Sequence, residues 1–237
     1  MEISTVLFDL DGTLTDSGSG IINSVKYALK KAGREIPPED ELRKFIGPPL
    51  QEQFMKCCEI EEKEAAEMVG LYREYYQEKG IFDNWVYEGV MEMLKTLKEA
   101  GLTIVMATSK PEKICKNDCR HFGFAKYFDL IGGACMNGAR TKKQEVIQYV
   151  LGQCEEKDLE KIRMVGDRCY DIEGANREGI RAIGVLYGYG SKEELEEAGA
   201  DGLAETPEEV VRMILKWHAS VRNLPVIDKA NEKDSQK

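Results

Sequence analysis

The chain is short of positive charge. Its 237 residues carry 33 Lys and Arg against 43 Asp and Glu, a net charge of −10 at pH 7. That balance argues against a surface for a nucleic-acid polymer or an anionic membrane. A small anionic ligand would have to be held by local cations against the overall field. Long apolar runs are missing too, and none approaches the roughly 20 residues that span a bilayer. The N-terminus shows no basic segment leading into an apolar one, so no secretory signal is expected. The seven cysteines are scattered and form no Cys-x-x-Cys pair. They read as reduced thiols in a cytoplasmic protein. Cys115 and Cys119 lie one helical turn apart near His121, but no fourth ligand accompanies them, which argues against zinc. No internal repeat is visible.

What is present begins with the first strand and its turn. Thr5-Val6-Leu7-Phe8 is an apolar run with β-branched members, the pattern of a buried strand. It continues as Asp9-Leu10-Asp11-Gly12-Thr13-Leu14-Thr15-Asp16. Carboxylates at the end of a core strand are costly to bury unless they are paired or bind a cation. Because strand side chains alternate, Asp9 and Asp11 can point to one side, where they suit a hard divalent cation. They could also divide labour, one ionised as a nucleophile and one protonated as an acid. Gly12 permits a tight turn and a close approach of backbone to ligand.

From Ser17 to Gly80 the pattern is helical and nothing reads as a strand. Ser17 is a candidate N-cap for the first helix, and Gly33 a candidate stop. The longest helix is expected over 61–79, with Ala65, Met68, Val69, Leu71, Tyr72, Tyr75 and Tyr76 on its apolar stripe. After Trp85-Val86-Tyr87, strands expected at 102–107, 127–131, 162–165, 182–186 and 202–203 alternate with helices. That alternation implies a parallel sheet covered on both faces. The fold class is therefore α/β, a Rossmann-like doubly wound core with an inserted all-helical cap. The expected division is a core of residues 1–16 and 86–221, a cap of 17–85 and a polar tail of 222–237. Ligands bind such sheets at the carboxyl ends of the strands. Asp9 and Asp11 follow the first strand there, and Thr108, Ser109 and Lys110 the second. Gly166-Asp167-Arg168 follows the fourth, with Asp171 a helical turn later. Lys142 and Lys143 open a helix between the third and fourth strands.

The run Asp9 to Thr15, a Thr or Ser after the second strand, a Lys ahead of a helix and Gly-Asp-x-x-x-Asp after the fourth strand occur here in one order. Together they resemble the motif set of the haloacid dehalogenase superfamily, over nearly the whole chain. Phe45-Ile46-Gly47-Pro48-Pro49-Leu50, Thr108-Ser109-Lys110-Pro111 and Gly184-Val185-Leu186-Tyr187-Gly188-Tyr189-Gly190 are similar to its 5′-nucleotidase-like and phosphoglycolate phosphatase-like subgroup. The resemblance implies a phosphatase of small phosphate monoesters, with a nucleoside 5′-monophosphate slightly favoured over 2-phosphoglycolate. Alternatives are a phosphomutase and a non-catalytic phosphate-binding protein. The implied cofactor is Mg²⁺, held by Asp9, Asp167 and Asp11, the last through its backbone carbonyl. Asp9 is the implied nucleophile, and Asp11 the implied acid and base. Gly12, Thr108, Ser109 and Lys143 are expected around the phosphate, with Lys142 an alternative to Lys143. Asp171 is expected either on metal-bound water or supporting Lys143. Arg43, Lys44 and Gly47 read as a specificity loop of the cap or, equally, as a surface turn. The expected partner is a small phosphorylated metabolite, and the expected assembly a monomer or weak homodimer. Cys169, inside the last motif, reads as a bystander or as a point of thiol sensitivity.

Overall fold

The computed structural model describes residues 2–136 and 138–219. In chain order the elements are β1 (Thr5–Phe8), β2 (Thr15–Asp16), α1 (Gly18–Lys31), α2 (Glu39–Arg43), α3 (Leu50–Cys58) and α4 (Glu62–Glu78). Then come β3 (Trp85–Val86), α5 (Val90–Glu99), β4 (Thr103–Pro111), α6 (Glu112–His121), β5 (Leu130–Ala134) and α7 (Lys143–Gln153). The last are β6 (Ile162–Gly166), α8 (Cys169–Arg177), β7 (Arg181–Val185), α9 (Lys192–Glu197), β8 (Gly202–Ala204) and α10 (Pro207–Ala219).

Six of the strands form one sheet in the order β5-β4-β1-β6-β7-β8, and every pairing in it is parallel. The period-2 alternation of its strands decides what covers each face. Val6 and Phe8 of β1, with Ile104 and Met106 of β4, enter an apolar cluster with Val90, Leu94 and Leu97 of α5 and Val210 and Ile214 of α10. Leu7, Val105 and Ala107 point the other way, onto Val146, Ile147 and Val150 of α7 and Ile172 and Ala175 of α8. The sheet is thus doubly wound. The chain leaves β1 for β4 on one side and later crosses to β6 on the other, so the carboxyl end of β1 lies at the switch point.

Helices α1 to α4 are built around a separate apolar cluster that includes Val25, Leu29, Phe45, Phe54, Met68 and Tyr72. The two crossings between this helical layer and the sheet pair with each other. Thr15 of β2 stands opposite Val86 of β3, and Asp16 opposite Trp85, in a short antiparallel ribbon. No helix among the described residues is long and apolar enough to cross a membrane.

Two local expectations need correction. The third strand of the core was expected at 127–131 and lies at Leu130–Ala134. Tyr127 and Phe128 instead pack on the first apolar cluster. The strand runs through Gly132, where a Cβ would stand 2.2 Å from Val150 Cγ1 of α7. Ser17 does not cap α1: its hydroxyl is buried with no hydrogen-bond partner. The amide of Gly18 donates instead to Asp16 Oδ1 at 3.2 Å and to the Tyr189 hydroxyl at 2.7 Å. Residues 220–221 and the expected tail of 222–237 lie outside the described residues.

Candidate active site

Asp9 comes directly after β1, and its amide donates to the Val165 carbonyl of β6 at 3.0 Å. That bond fixes the residue at the sheet edge with its carboxylate buried. Lys143 opens α7, the first turn of which is secured by Glu145 accepting from the amides of Thr141 and Lys142. From there the Lys143 ammonium donates to Asp9 Oδ1 at 2.6 Å and to the Ala107 carbonyl within β4 at 3.0 Å. It also stands 2.8 Å from Asp171 Oδ1, at an angle that makes this an ion-pair contact rather than a hydrogen bond. Lys142 is exposed, so of the two lysines only Lys143 enters the site.

Asp167 comes directly after β6 and is wholly buried. Its Oδ1 accepts from the Thr13 hydroxyl at 3.2 Å, and its Oδ2 from the Tyr189 amide at 2.9 Å. Asp171 sits in the first turn of α8, where its Oδ2 accepts from the Arg168 amide at 3.1 Å. It therefore caps its helix with one oxygen and faces Lys143 with the other. Ligand oxygens of Asp9, Asp167 and Asp171 all lie within 4.8 Å of one another. Two of these buried carboxylates, Asp9 and Asp171, share Lys143.

Crowding of this kind changes how the groups hold protons. Burial pushes the Asp9 carboxyl up to about 6; Lys143 pulls against that, while Asp171 and Asp11 reinforce it. Burial, then the charges of Asp171 and Asp9, drives Asp167 well above the ordinary carboxylate range. Burial opposes the charged form of Lys143, but Asp171 and Asp9 outweigh it and hold the ammonium protonated beyond the usual lysine value. A donor set of buried carboxylate oxygens in excess of its cations suits a hard divalent ion such as Mg²⁺. Bound among them, the ion would offset the burial and the mutual repulsion that now lift both acids.

Gly12 has φ +88°, and a Cβ there would stand 2.1 Å from Asp167 Oδ2. Its place beside the carboxylates is therefore steric. Its amide donates to the Thr15 carbonyl at 2.7 Å.

Asp11 diverges from the other acids. Its Oδ1 accepts from Lys110 at 2.9 Å, and its carboxylate is outside the cluster of Asp9, Asp167 and Asp171. Asp9 and Asp11 nevertheless line one cavity of about 180 Å³, together with Thr108 and Ser109. Thr108 is buried, and its hydroxyl accepts from the Lys110 amide at 3.2 Å. The opposite wall comes from the helical layer and is largely apolar, with Phe45, Pro48, Leu50 and Tyr72 beside Arg73 and Tyr76.

Of the residues read as a specificity loop, Gly47 lines this cavity. Arg43 and Lys44 do not. They are exposed on α2 and its end, and they pair locally with Glu39 at 3.7 Å and Glu41 at 2.5 Å. A helix with acids in its first turn and bases three or four residues later satisfies its own charges on its solvent face, which is where these two stay. The sequence places Lys110 at the sheet edge without a role, and gives no place in the site to Arg73 or Tyr76. For Tyr72, Arg73 and Tyr76 a signal existed: they fall on or beside the apolar stripe of α4, and only the fold reveals that this stripe overhangs the sheet edge.

The family model described as haloacid dehalogenase-like hydrolase matches residues 6–185. A protein of Pseudomonas aeruginosa named 5′-nucleotidase is 43% identical over 190 residues, 80% of this chain and 86% of that one. The tyrosine-protein kinase PtkA of Mycobacterium tuberculosis is 38% identical over 185 residues, 78% of this chain and 62% of that protein. A crystal structure described as a "predicted phosphatase" from Clostridium acetobutylicum superimposes with a TM-score of 0.86 at 41% identity, covering 91% of this chain and 100% of that one.

Proposed function

The chain belongs to the haloacid dehalogenase-like hydrolases, and we propose that within this family it is a Mg²⁺-dependent phosphatase acting on small phosphate monoesters through an aspartyl-phosphate. One observation carries the reading. Asp9 stands at the switch point of the sheet, held by Lys143 and accompanied by Asp167 and Asp171, on the wall of a cavity that the helical layer roofs.

Asp9 is the nucleophile. A carboxylate is ionised at neutral pH without a separate base, and Lys143 fixes Oδ1. The bond from Asp9 to phosphorus forms as the bond from phosphorus to the leaving oxygen breaks, with its electron pair staying on that oxygen. Asp11 gives the leaving oxygen a proton. It then takes one from the water that attacks the aspartyl-phosphate and restores Asp9. Thr108, Ser109 and Lys143 surround the phosphate oxygens, where donors aimed at developing charge contribute most. Asp9, Asp167 and the Asp11 carbonyl would hold Mg²⁺, which supplies positive charge between an anionic nucleophile and an anionic substrate. Asp171 acts through Lys143. Residues 17–85 form a cap that closes over the sheet edge and excludes water during the reaction.

The substrate reading is a nucleoside 5′-monophosphate, ahead of 2-phosphoglycolate. Apolar and aromatic walls suit the flat face of a base, and a guanidinium at the wall suits its carbonyl oxygens and ring nitrogens. The 43% identical relative is itself named 5′-nucleotidase. Transfer to an acceptor other than water is the second reading, favoured by the relative named as a kinase.

Phosphate release should be measured from nucleoside monophosphates, phosphoglycolate and hexose phosphates, with Mg²⁺ and with EDTA. The proposal expects Mg²⁺-dependent release, fastest from the nucleotides. Well-folded protein that releases phosphate from none of them defeats it. Isomerisation of a sugar phosphate without net release would establish the transfer reading instead.

A further inference from the structure

The proposed chemistry leaves two buried charges unused, Lys110 and Asp118. Lys110 is the penultimate residue of β4, and its side chain is 7% exposed. An ammonium has three donors, and here each faces a different element. It donates to Asp11 Oδ1 at 2.9 Å in the loop after β1 and to the Tyr76 hydroxyl at 2.6 Å on α4 of the helical layer. It lies 2.7 Å from Asp118 Oδ2 on α6. Neither oxygen of Asp118 has a hydrogen-bond partner, although the residue is wholly buried. Lys110 is thus the counter-ion that explains its burial, through an ion-pair contact of poor hydrogen-bond angle. Burial works against the ammonium, but Asp11, Tyr76 and Asp118 outweigh it and hold it charged.

A lysine kept only to neutralise one acid would not need a second acid and a tyrosine from another layer. With Asp118 fixing it from below and Tyr76 from above, the ammonium is locked in place and can hold Asp11 by Oδ1. That leaves Oδ2 as the oxygen free to exchange a proton. We infer that Lys110 is a positioning residue: it orients the Asp11 carboxyl for proton transfer to the leaving group, and through Tyr76 it makes that orientation depend on where the cap sits. The inference rests on the reading of Asp11 as the acid. Lys110 gives up no proton itself.

The test compares esters that differ in their need for an acid. The oxygen of an alkyl phosphate departs as an alkoxide and needs a proton. A 4-nitrophenolate departs as a stabilised anion and does not. The reading is kcat/KM, because it reports the step that expels the leaving group and not the later hydrolysis of the aspartyl-phosphate. Lys110→Met is compared with Lys110→Met/Asp118→Asn, which removes the buried partner charge so that the fold is not left with an unpaired acid. Tyr76→Phe keeps the lysine and severs only the link to the cap.

Wild-type turnover of both esters is the starting condition, and its absence would sink the phosphatase reading and this inference with it. Given that turnover, the lysine variants should lose on the order of 100-fold on the alkyl ester, the scale of a displaced general acid, and far less on the nitrophenyl ester. Tyr76→Phe should shift the ratio of the two esters in the same direction by a smaller factor. Equal losses on both esters, or no loss on either, would overturn the role of Lys110 while leaving the phosphatase reading intact.

Discussion

Asp9 is a carboxylate placed where its charge is least welcome. Burial, against Lys143 and with Asp171 and Asp11, lifts it to about 6, so the folded protein free of metal holds a proton that the unfolded chain has already released. Between the ordinary carboxyl value of 3.8 and about 6 the native state binds more protons than the unfolded one. Stability from this group therefore falls as pH rises through that window. A divalent cation among the three acids reverses the penalty. We expect Mg²⁺ to raise the melting temperature over an EDTA-treated control more at pH 7.5 than at pH 5, with affinity weakening below about pH 6 as protons compete. Thermal denaturation with and without metal checks this; an equal Mg²⁺ effect at both pH values would count against the carboxylate site. At this scale much was legible. Asp9, Thr108 and Asp167 each stand at the carboxyl end of a strand, and a parallel sheet gathers those ends along one edge. Lys110 and Asp11 were legible as residues but not as partners, because 99 residues separate them. The cap of α1 was misread for the same reason. A serine beside a helix start is a local signal, while the hydroxyl that takes the Gly18 amide is 171 residues away.

Among the elements, α7 carries the most functional weight, since it starts at Lys143 and packs along β4 and β5. Its distance from the sheet is set by Gly132, where an added Cβ would fall 2.2 Å from Val150 Cγ1. Val150 is buried and β-branched, so its methyl group cannot swing away freely. Gly132→Ala should therefore push α7 outward, cost about 1–3 kcal/mol as overpacking does, and lower kcat by moving Lys143 from Asp9. Denaturant unfolding together with steady-state rates reads both effects. Unchanged stability would show that the helix yields without cost. The same glycine explains why this strand was placed three residues early. Glycine is a poor strand former, and the aromatic run of Tyr127 and Phe128 is the better local signal. The choice was made by contact between a strand and a helix, which local propensity does not contain. β1, β6 and β7 lie close to the expected positions because their β-branched and apolar runs are largely buried on both faces; β4 runs on to Pro111, beyond its apolar run.

For the whole molecule, the insertion was visible as a helical stretch interrupting an alternating pattern, and its function depends on how it meets the sheet. The chain enters and leaves the helical layer through paired strands, Thr15 against Val86 and Asp16 against Trp85. The layer is tied to a fixed edge and overhangs the carboxylates. The cavity wall from α4 was hidden from sequence, since no periodicity says which way an inserted bundle leans. With a net charge of −10, the molecule as a whole repels a phosphate ester. Capture and chemistry therefore depend on the small region where Lys143 and Lys110 meet the acids. The account centres on phosphoryl transfer to Asp9. Its most direct test is mass spectrometry of peptides from protein quenched in acid during turnover of a nucleoside 5′-monophosphate with Mg²⁺. The account predicts a phosphoryl group on the peptide containing Asp9, acid-stable and base-labile, and none in the Asp9→Asn variant. A phosphoryl group on another residue, or steady turnover by Asp9→Asn, would contradict it.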